Sequence, residues 1–181
     1  DSAQAQERFA DVPSEHEGLS DFGYQVVDEL NRLGILVDIS HASKQSMLDA
    51  TRHSAAPVIA SHSSVNGVYV HPRNLDDEQL LAIQENGGVV QIVAFDTYLN
   101  EGRGTASVSE LVDHIDYTVE LIGIEHVGIS SDFGGGGGIA GWNGADETFN
   151  VTLELVRRGY SEEEIGMIWS GNVLRILEQA E

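Results

Sequence analysis

Four short runs, each built around apolar residues, alternate with helix-length segments along this chain, and the alternation limits the folds it can adopt. The runs occupy residues 35–39, 58–60, 89–94 and 126–130. The first is nearly continuous in apolar residues, as a strand buried on both faces of a sheet requires. Strands that alternate with helices form a parallel sheet with right-handed crossover connections. The sequence therefore predicts an α/β fold.

Helix start signals lie between the runs. The predicted N-cap residues are Ser20 and Ser43, and capping boxes are predicted for Ser107 with Glu110 and for Ser161 with Glu164. The predicted helical segments are residues 21–33, 44–53, 76–86, 107–122, 146–158 and the stretch after 161. The apolar residues of the first segment fall on one face, which predicts a buried stripe along that helix.

Four strands cannot by themselves close a barrel of eight. The chain is therefore either a small open sheet or one half of a (β/α)8 barrel. Residues 1–17 are polar and aperiodic, so we expect a loop or tail there, followed by the domain over residues 18–181. The chain has no initiator Met and no signal peptide, so we expect it to begin after processing or within a longer protein.

Composition excludes several classes of function. The chain carries 30 Asp and Glu against 9 Lys and Arg, for a net charge of −21. Nucleic acid demands basic patches, so we expect no nucleic-acid partner. No apolar run approaches the roughly 20 residues of a membrane span, so no transmembrane segment is predicted. Because cysteine is absent, any metal ligands must be His, Asp or Glu.

His41 and His62 each follow a predicted strand, and each is preceded by a serine. If the two strands are parallel, both imidazoles emerge at the carboxyl-terminal edge of the sheet, where α/β proteins build their sites. Two neutral imidazoles at one edge can bind zinc. The alternative is that each histidine only caps a loop through hydrogen bonds.

Asp132 ends the fourth predicted strand and matches the two histidines in sheet geometry. A carboxylate there can bind a metal ion, bind a substrate ammonium group or transfer a proton. The alternative is a helix cap or an Asx turn.

Arg73 lies in the long loop after the second predicted strand. A guanidinium at that rim suits bidentate binding of a substrate carboxylate. The alternative is a surface ion pair with Asp76 or Asp77.

Several motifs together resemble one family. They are Asp38-Ile39-Ser40-His41, Ser61-His62-Ser63-Ser64, His71-Pro72-Arg73-Asn74-Leu75, Ser131-Asp132-Phe133, and Arg157-Arg158-Gly159-Tyr160-Ser161 with Gly171-Asn172. In this order they resemble the membrane (renal-type) dipeptidases, peptidase family M19. The similarity runs from about Gly18 to the end of the chain.

The resemblance implies a zinc-dependent dipeptidase on a (β/α)8 barrel with two zinc ions, of which this chain is the C-terminal half, strands five to eight. By position, His41 and His62 match the ligands of the second zinc. Arg73 matches the arginine that holds the substrate carboxylate, and Asp132 matches a proposed proton carrier. The family's His-x-Asp pair, its bridging Glu and its substrate-facing His would precede this segment.

The implied partners are a dipeptide substrate, the N-terminal half of the same barrel and a second copy of the chain in a homodimer. One difference from many relatives concerns substrate preference. Phe95 is followed by Asp96 where many relatives have a tyrosine, so we expect an altered charge near the substrate. The alternative functions are another metal-dependent hydrolase, such as a lactonase or deacetylase, and a barrel that has lost its metals.

Overall fold

A three-stranded parallel sheet organises the part of the chain that the structure describes. The computed structural model describes residues 16–102 and 104–181. Its strands are β1 (Ile59–Ser63), β2 (Val89–Val93) and β3 (Val127–Ser130), in that spatial order. The predicted α/β fold with parallel strands is confirmed. Of the predicted polar tail, residues 1–15 lie outside the described residues.

The first predicted strand is wrong in its extent. Residues 35–39 do not form a regular strand, although Asp38 makes a single parallel bridge to Ile59. The amide of Ile39 donates to the Ile59 carbonyl at 2.8 Å, and the amide of Ile59 donates to the Val37 carbonyl at 3.0 Å. Residues 37–39 therefore lie beside β1 in the fourth sheet position. Ile35 is exposed, so the apolar run begins outside the sheet.

The second predicted strand continues three residues beyond its predicted end. β1 includes Ser61, His62 and Ser63, so His62 lies within the strand and does not follow it. The register of β1 against β2 shifts between Ala60 and Ser63. This irregularity changes how the site residues of β1 are aimed.

Helices connect the strands and also precede and follow the sheet. They are α1 (Asp21–Arg32), α2 (Lys44–His53), α3 (Asp77–Asn86), α4 (Asp96–Leu99), α5 (Val108–Ile122), α6 (Phe149–Arg157), α7 (Glu162–Gly166) and α8 (Asn172–Ala180). A π-helical turn, Met167–Gly171, joins the last two. No helix among the described residues is long and apolar enough to cross a membrane.

The predicted helix starts follow from capping chemistry. The hydroxyls of Ser20 and Ser43 accept backbone amides at the starts of α1 and α2. Capping boxes are formed by Ser107 with Glu110, Ser161 with Glu164 and, in addition, Asp76 with Gln79. The helix predicted over 146–158 begins later, at Phe149, because a 3-10 turn, Ala145–Glu147, precedes it.

The predicted buried stripe of α1 is only partly buried. Val27 is buried and Leu30 packs against the core, whereas Phe22 is 72% exposed and Val26 is also exposed. The helix contacts α2 with one edge of the stripe. The other edge has no covering residues within the described chain.

The C-terminal helix closes the amino-terminal end of the sheet. Ile176 of α8 packs with Ile59 and Val89 at the starts of β1 and β2. The Arg175 guanidinium donates to the carbonyls of Gly87 and Glu125 at 3.0 and 2.8 Å. The opposite, carboxyl-terminal edge is therefore the one at which the strand-end side chains gather.

Candidate active site

Two histidine side chains meet at the carboxyl end of β1. His41 follows residues 37–39, and its Nε2 atom lies 2.6 Å from Nε2 of His62. The ring centroids are 4.7 Å apart. Within the described residues, these two histidines are not joined by a third His, Asp or Glu that would complete a metal site. The structure thus brings the two predicted ligands together as a pair.

The backbone adopts an uncommon conformation at two of the predicted site residues. Among the described residues, His41 (φ 67°) and Asp132 (φ 49°) are the non-glycine residues with positive φ. His and Asp are enriched in this left-handed region, where a non-glycine residue still costs about 1–3 kcal/mol. Such conformations cluster at functional sites, where the surrounding structure holds a side chain in a required direction.

A hydrogen-bond network surrounds His62 on its outer side. The Asp38 carboxylate accepts from the amides of Ser40 and Ser61 at 3.0 and 3.1 Å and from the Ser61 hydroxyl at 2.6 Å. Ser61 Oγ lies 2.7 Å from Nδ1 of His62. The amide of His62 donates to Ser40 Oγ at 3.0 Å. No role for Asp38 or the serines is predicted from the sequence, although a serine precedes each histidine.

Arg73 is buried without a carboxylate partner among the described residues. Its side chain is 7% exposed, and its Nε has no hydrogen-bond partner. Nη2 donates to the carbonyl of His62 at 3.4 Å, which is a weak bond. The predicted alternative, a surface pair, is wrong because Asp76 binds Lys44 at 2.6 Å and Asp77 accepts from Tyr117 at 2.7 Å.

The loop that carries Arg73 is tied to the loop after β2. The buried Asn74 amide group donates to the carbonyls of Tyr69 and Tyr98, both at 2.8 Å. The guanidinium carbon of Arg73 lies 5.6 Å from the centroid of the Tyr98 ring. Tyr98 also packs against the ring of His71, with centroids 4.6 Å apart. These contacts hold the Arg73 guanidinium in position beside the Tyr98 ring.

Asp132 keeps its carboxylate free of capping interactions. Its side chain makes no cap hydrogen bond, so the helix-cap alternative is wrong. Its backbone carbonyl accepts from the amides of Gly135 and Gly137 at 2.9 and 2.8 Å. A Cβ atom at Gly135 would collide with the Asp132 carboxylate. Glycine at that position therefore allows the observed direction of the side chain.

The charged groups of the site act on His41. Burial lowers the pKa of His41 below its ordinary value, and the charges of Arg73 and then His62 lower it further. Asp132 and Asp38 raise the pKa by smaller amounts. The balance favours the neutral imidazole, which is the form that binds a metal ion.

Asp96 is engaged away from this cluster. Its carboxylate accepts from the amides of Gly104 and, at 2.8 Å, Ala106, and so holds the loop before α5. The aromatic ring beside Arg73 is that of Tyr98. The Asp96 side chain therefore stabilises a neighbouring loop through these bonds.

His114 is a structural histidine. It is fully buried, its Nδ1 accepts from the amide of Val65 at 3.2 Å, and its Nε2 lies 3.2 Å from the Leu99 carbonyl. Burial lowers the pKa of His114 to about 4.

Comparisons with known proteins agree with one another. The family model of the membrane dipeptidases (peptidase family M19) matches residues 1–181. Dipeptidase tcpJ of Claviceps purpurea is 37% identical over 167 residues, which cover 92% of this chain and 39% of that protein. Five curated relatives, all named dipeptidases, are matched over 34% to 42% of their own length, so the chain spans less than half of each.

Solved structures of a probable dipeptidase and of a metallo peptidase are also similar to this chain. The probable dipeptidase PvdM of Pseudomonas aeruginosa has a TM-score of 0.88 at 34% identity, covering 93% of this chain and 56% of that one. A metallo peptidase of Rhodobacter sphaeroides, solved with a phosphinate mimic of the dipeptide L-Ala-D-Ala, has a TM-score of 0.86 at 31% identity. That match covers 92% of this chain and 48% of the other.

Proposed function

The chain belongs to the membrane dipeptidase family, peptidase family M19, and from this we propose that it forms part of a zinc-dependent enzyme that hydrolyses dipeptides. The proposal rests on four side chains that lie at one edge of the sheet. They are the imidazoles of His41 and His62, the buried guanidinium of Arg73 and the Asp132 carboxylate, which makes no helix-cap hydrogen bond. Family membership supports the class of reaction, and this arrangement supports the role of each residue.

His41 and His62 would hold the second of two zinc ions. The donor set fits, because two imidazole nitrogens lie 2.6 Å apart and the neutral form of His41 is favoured. Two ligands do not fill a zinc site, so the remaining ligands come from outside the described residues. When bound, the metal would supply Lewis-acid polarisation of the peptide carbonyl and lower the pKa of water.

Arg73 would bind the free carboxylate of the substrate. Its guanidinium is already desolvated and lacks an acidic partner among the described residues, so a substrate carboxylate would satisfy it. Binding the carboxyl terminus next to the scissile bond restricts the substrate to very short peptides. The phosphinate mimic of L-Ala-D-Ala in the Rhodobacter sphaeroides relative supports dipeptides, including those with a D-residue in the second position, as the substrate class.

Asp132 would hold the substrate amino group and deliver a proton to the leaving amine. A carboxylate without a capping role is available for proton transfer. The left-handed backbone at Asp132 and the glycine at 135 keep the side chain in one direction. A positioned acid of this kind contributes about 10²–10⁴-fold to rate.

The chain would form the C-terminal half, strands five to eight, of a (β/α)8 barrel, with its domain over residues 18–181. Four parallel sheet positions, residues 37–39 and the three strands, support this assignment. The exposed apolar edge of α1 and the short coverage of the curated relatives support a further segment that completes the barrel.

Substitution of His62 tests the proposal in the full polypeptide that carries this chain. We expect His62→Ala to lower zinc content by about one ion per site and to abolish dipeptide hydrolysis. The matched control is His53→Ala, because His53 pairs with Asp28 on the surface and should leave both properties unchanged.

The readouts are metal analysis and a substrate panel of dipeptides, lactones and acylated amines. Two zinc ions and full activity in His62→Ala would refute the site. Turnover of lactones or acylated amines alone would refute the substrate class, and a folded wild-type protein without zinc would refute the metal-dependent reaction.

A further inference from the structure

The two histidines of the site differ in what holds their outer nitrogen. Nδ1 of His62 lies 2.7 Å from Ser61 Oγ. Nδ1 of His41 is buried without a hydrogen-bond partner in the described structure. A neutral imidazole can bind a metal through Nε2 only when its proton sits on Nδ1. A hydrogen-bond partner at Nδ1 can therefore set the tautomer of His62, whereas the described residues supply no such partner for His41.

The proton positions around Ser61 follow from its neighbours. The Asp38 carboxylate only accepts hydrogen bonds, and its Oδ2 lies 2.6 Å from the Ser61 hydroxyl. The single hydroxyl proton of Ser61 is therefore directed to Asp38, and Ser61 Oγ can only accept from His62. The result is that His62 carries its proton on Nδ1, and its unprotonated Nε2 accepts from the Nε2–H group of His41, 2.6 Å away, when no metal ion is bound.

The Asp38 carboxylate cannot turn away from this arrangement without losing two further bonds. Its Oδ1 accepts from the amides of Ser40 and Ser61, and these two bonds keep Oδ2 directed at the Ser61 hydroxyl. Two successive backbone amides, those of Ser61 and His62, thus donate to the side chains of Asp38 and Ser40. The register of β1 against β2 shifts at these same residues, between Ala60 and Ser63. The two amide bonds therefore account both for the register shift and for the direction of the His62 ring.

We propose that Asp38, acting through the Ser61 hydroxyl, is a positioning residue that holds His62 in the Nδ1–H tautomer with Nε2 free for the metal ion. The consequence for metal binding rests on the proposed function, whereas the tautomer itself does not. Partners of this type raise ligand basicity and fix ring orientation, and their loss costs about 10–100-fold in metal affinity.

Nitrogen NMR of the metal-free full polypeptide, labelled with 15N-histidine, reads the tautomer directly. We expect His62 in the wild type to give the Nδ1–H pattern. Ser61→Ala should remove this preference, because Nδ1 then has no acceptor. Ser61→Thr retains the hydroxyl and should retain the pattern.

Asp38→Asn gives the sharpest outcome. The Asn oxygen would keep the two backbone amides, so its NH₂ group would face Ser61 Oγ and donate to it. The hydroxyl proton would then turn to Nδ1 of His62, and the tautomer should reverse to Nε2–H. A role limited to loop stability would not reverse a tautomer.

The matched control is Ser63→Ala. Ser63 lies in β1 and its buried hydroxyl has no hydrogen-bond partner among the described residues, so its removal changes none of the bonds to an imidazole seen there. This variant should keep the Nδ1–H pattern and the wild-type affinity for Zn²⁺. In a chelator competition, Ser61→Ala and Asp38→Asn should lose about 10–100-fold in Zn²⁺ affinity.

The outcomes distinguish the inference from the proposed function. An Nε2–H pattern in the wild type, or an unchanged pattern in both Ser61→Ala and Asp38→Asn, overturns the inference. The expected patterns with a wild-type protein that binds no Zn²⁺ support the positioning of His62 and overturn the proposed metal site. Reversed tautomers with unchanged Zn²⁺ affinity overturn the link between positioning and metal binding.

Discussion

Replacing Arg73 with Met separates substrate binding from stability. The Arg73 side chain is buried, its Nε has no partner, and its bond to the His62 carbonyl is 3.4 Å long. Met replaces the aliphatic part of the Arg73 side chain without the charge. Because exchange of a buried, poorly paired charge for an apolar side chain is often neutral or stabilising, the melting temperature of Arg73→Met should stay the same or rise.

Dipeptide binding should respond in the opposite direction. A hydrogen bond to a charged group contributes about 1.5–3 kcal/mol, and about 1.4 kcal/mol corresponds to a factor of ten. Loss of the guanidinium should therefore raise KM for dipeptides about 10- to 100-fold, with a smaller effect on kcat.

Steady-state kinetics and thermal unfolding of the full polypeptide check both expectations. The control is Arg158→Met, because Arg158 donates to Asp113 and Asp116, both at 2.7 Å, and lies outside the site. That variant should lower the melting temperature and leave KM unchanged. An unchanged KM in Arg73→Met, or a melting temperature that falls as in Arg158→Met, would refute the reasoning.

Three further predictions concern the proton carrier and the buried histidine. Asp132→Asn should lower kcat about 10²–10⁴-fold with unchanged folding, because Asn tolerates the left-handed backbone but cannot transfer the proton; wild-type kcat would contradict the role. Gly135→Ala should lower kcat and leave zinc content unchanged, because its Cβ displaces the Asp132 carboxylate; metal analysis and kinetics measure both. The folded-state pKa of His114 is about 4 against an ordinary value of about 6.5. The unfolded chain therefore takes up the proton first, and unfolding free energy should fall by at most about 3 kcal/mol as pH drops from about 6.5 to 4. Urea titrations at pH 7 and 4.5 should show this loss, and it should be smaller in His114→Gln.

Local signals predicted much of the fold. Ser20, Ser43 and the two capping boxes fix helix starts through bonds within three residues, so the sequence alone contains the information. The convergence of His41 and His62 followed from one assumption, that their strands are parallel neighbours. The structure satisfies it through the bridge between Asp38 and Ile59.

Features that depend on contacts distant in the chain were not predicted. The network of Asp38 and Ser61 joins residues 23 positions apart and needs the register between them. The extension of β1 through His62 depends on its pairing with β2, in which Ser63 is the partner of Ile92. Arg73 lacks an acidic partner among the described residues because Lys44 binds Asp76 and Tyr117 binds Asp77. No local sequence pattern encodes these two contacts.

The Asn74 amide couples the loops that follow β1 and β2. Its bond to the Tyr69 carbonyl lies within the first loop, and its bond to the Tyr98 carbonyl reaches the short helix α4 at the start of the second. A residue inserted into either loop would shift Arg73 relative to the histidines. The glycine-rich segment after β3 is joined to the same region, because the amide of Gly138 donates to the carbonyl of Ala94 at 2.7 Å. In such a protein, substrate preference is therefore expected to change through side-chain substitutions in these segments rather than through changes in their length.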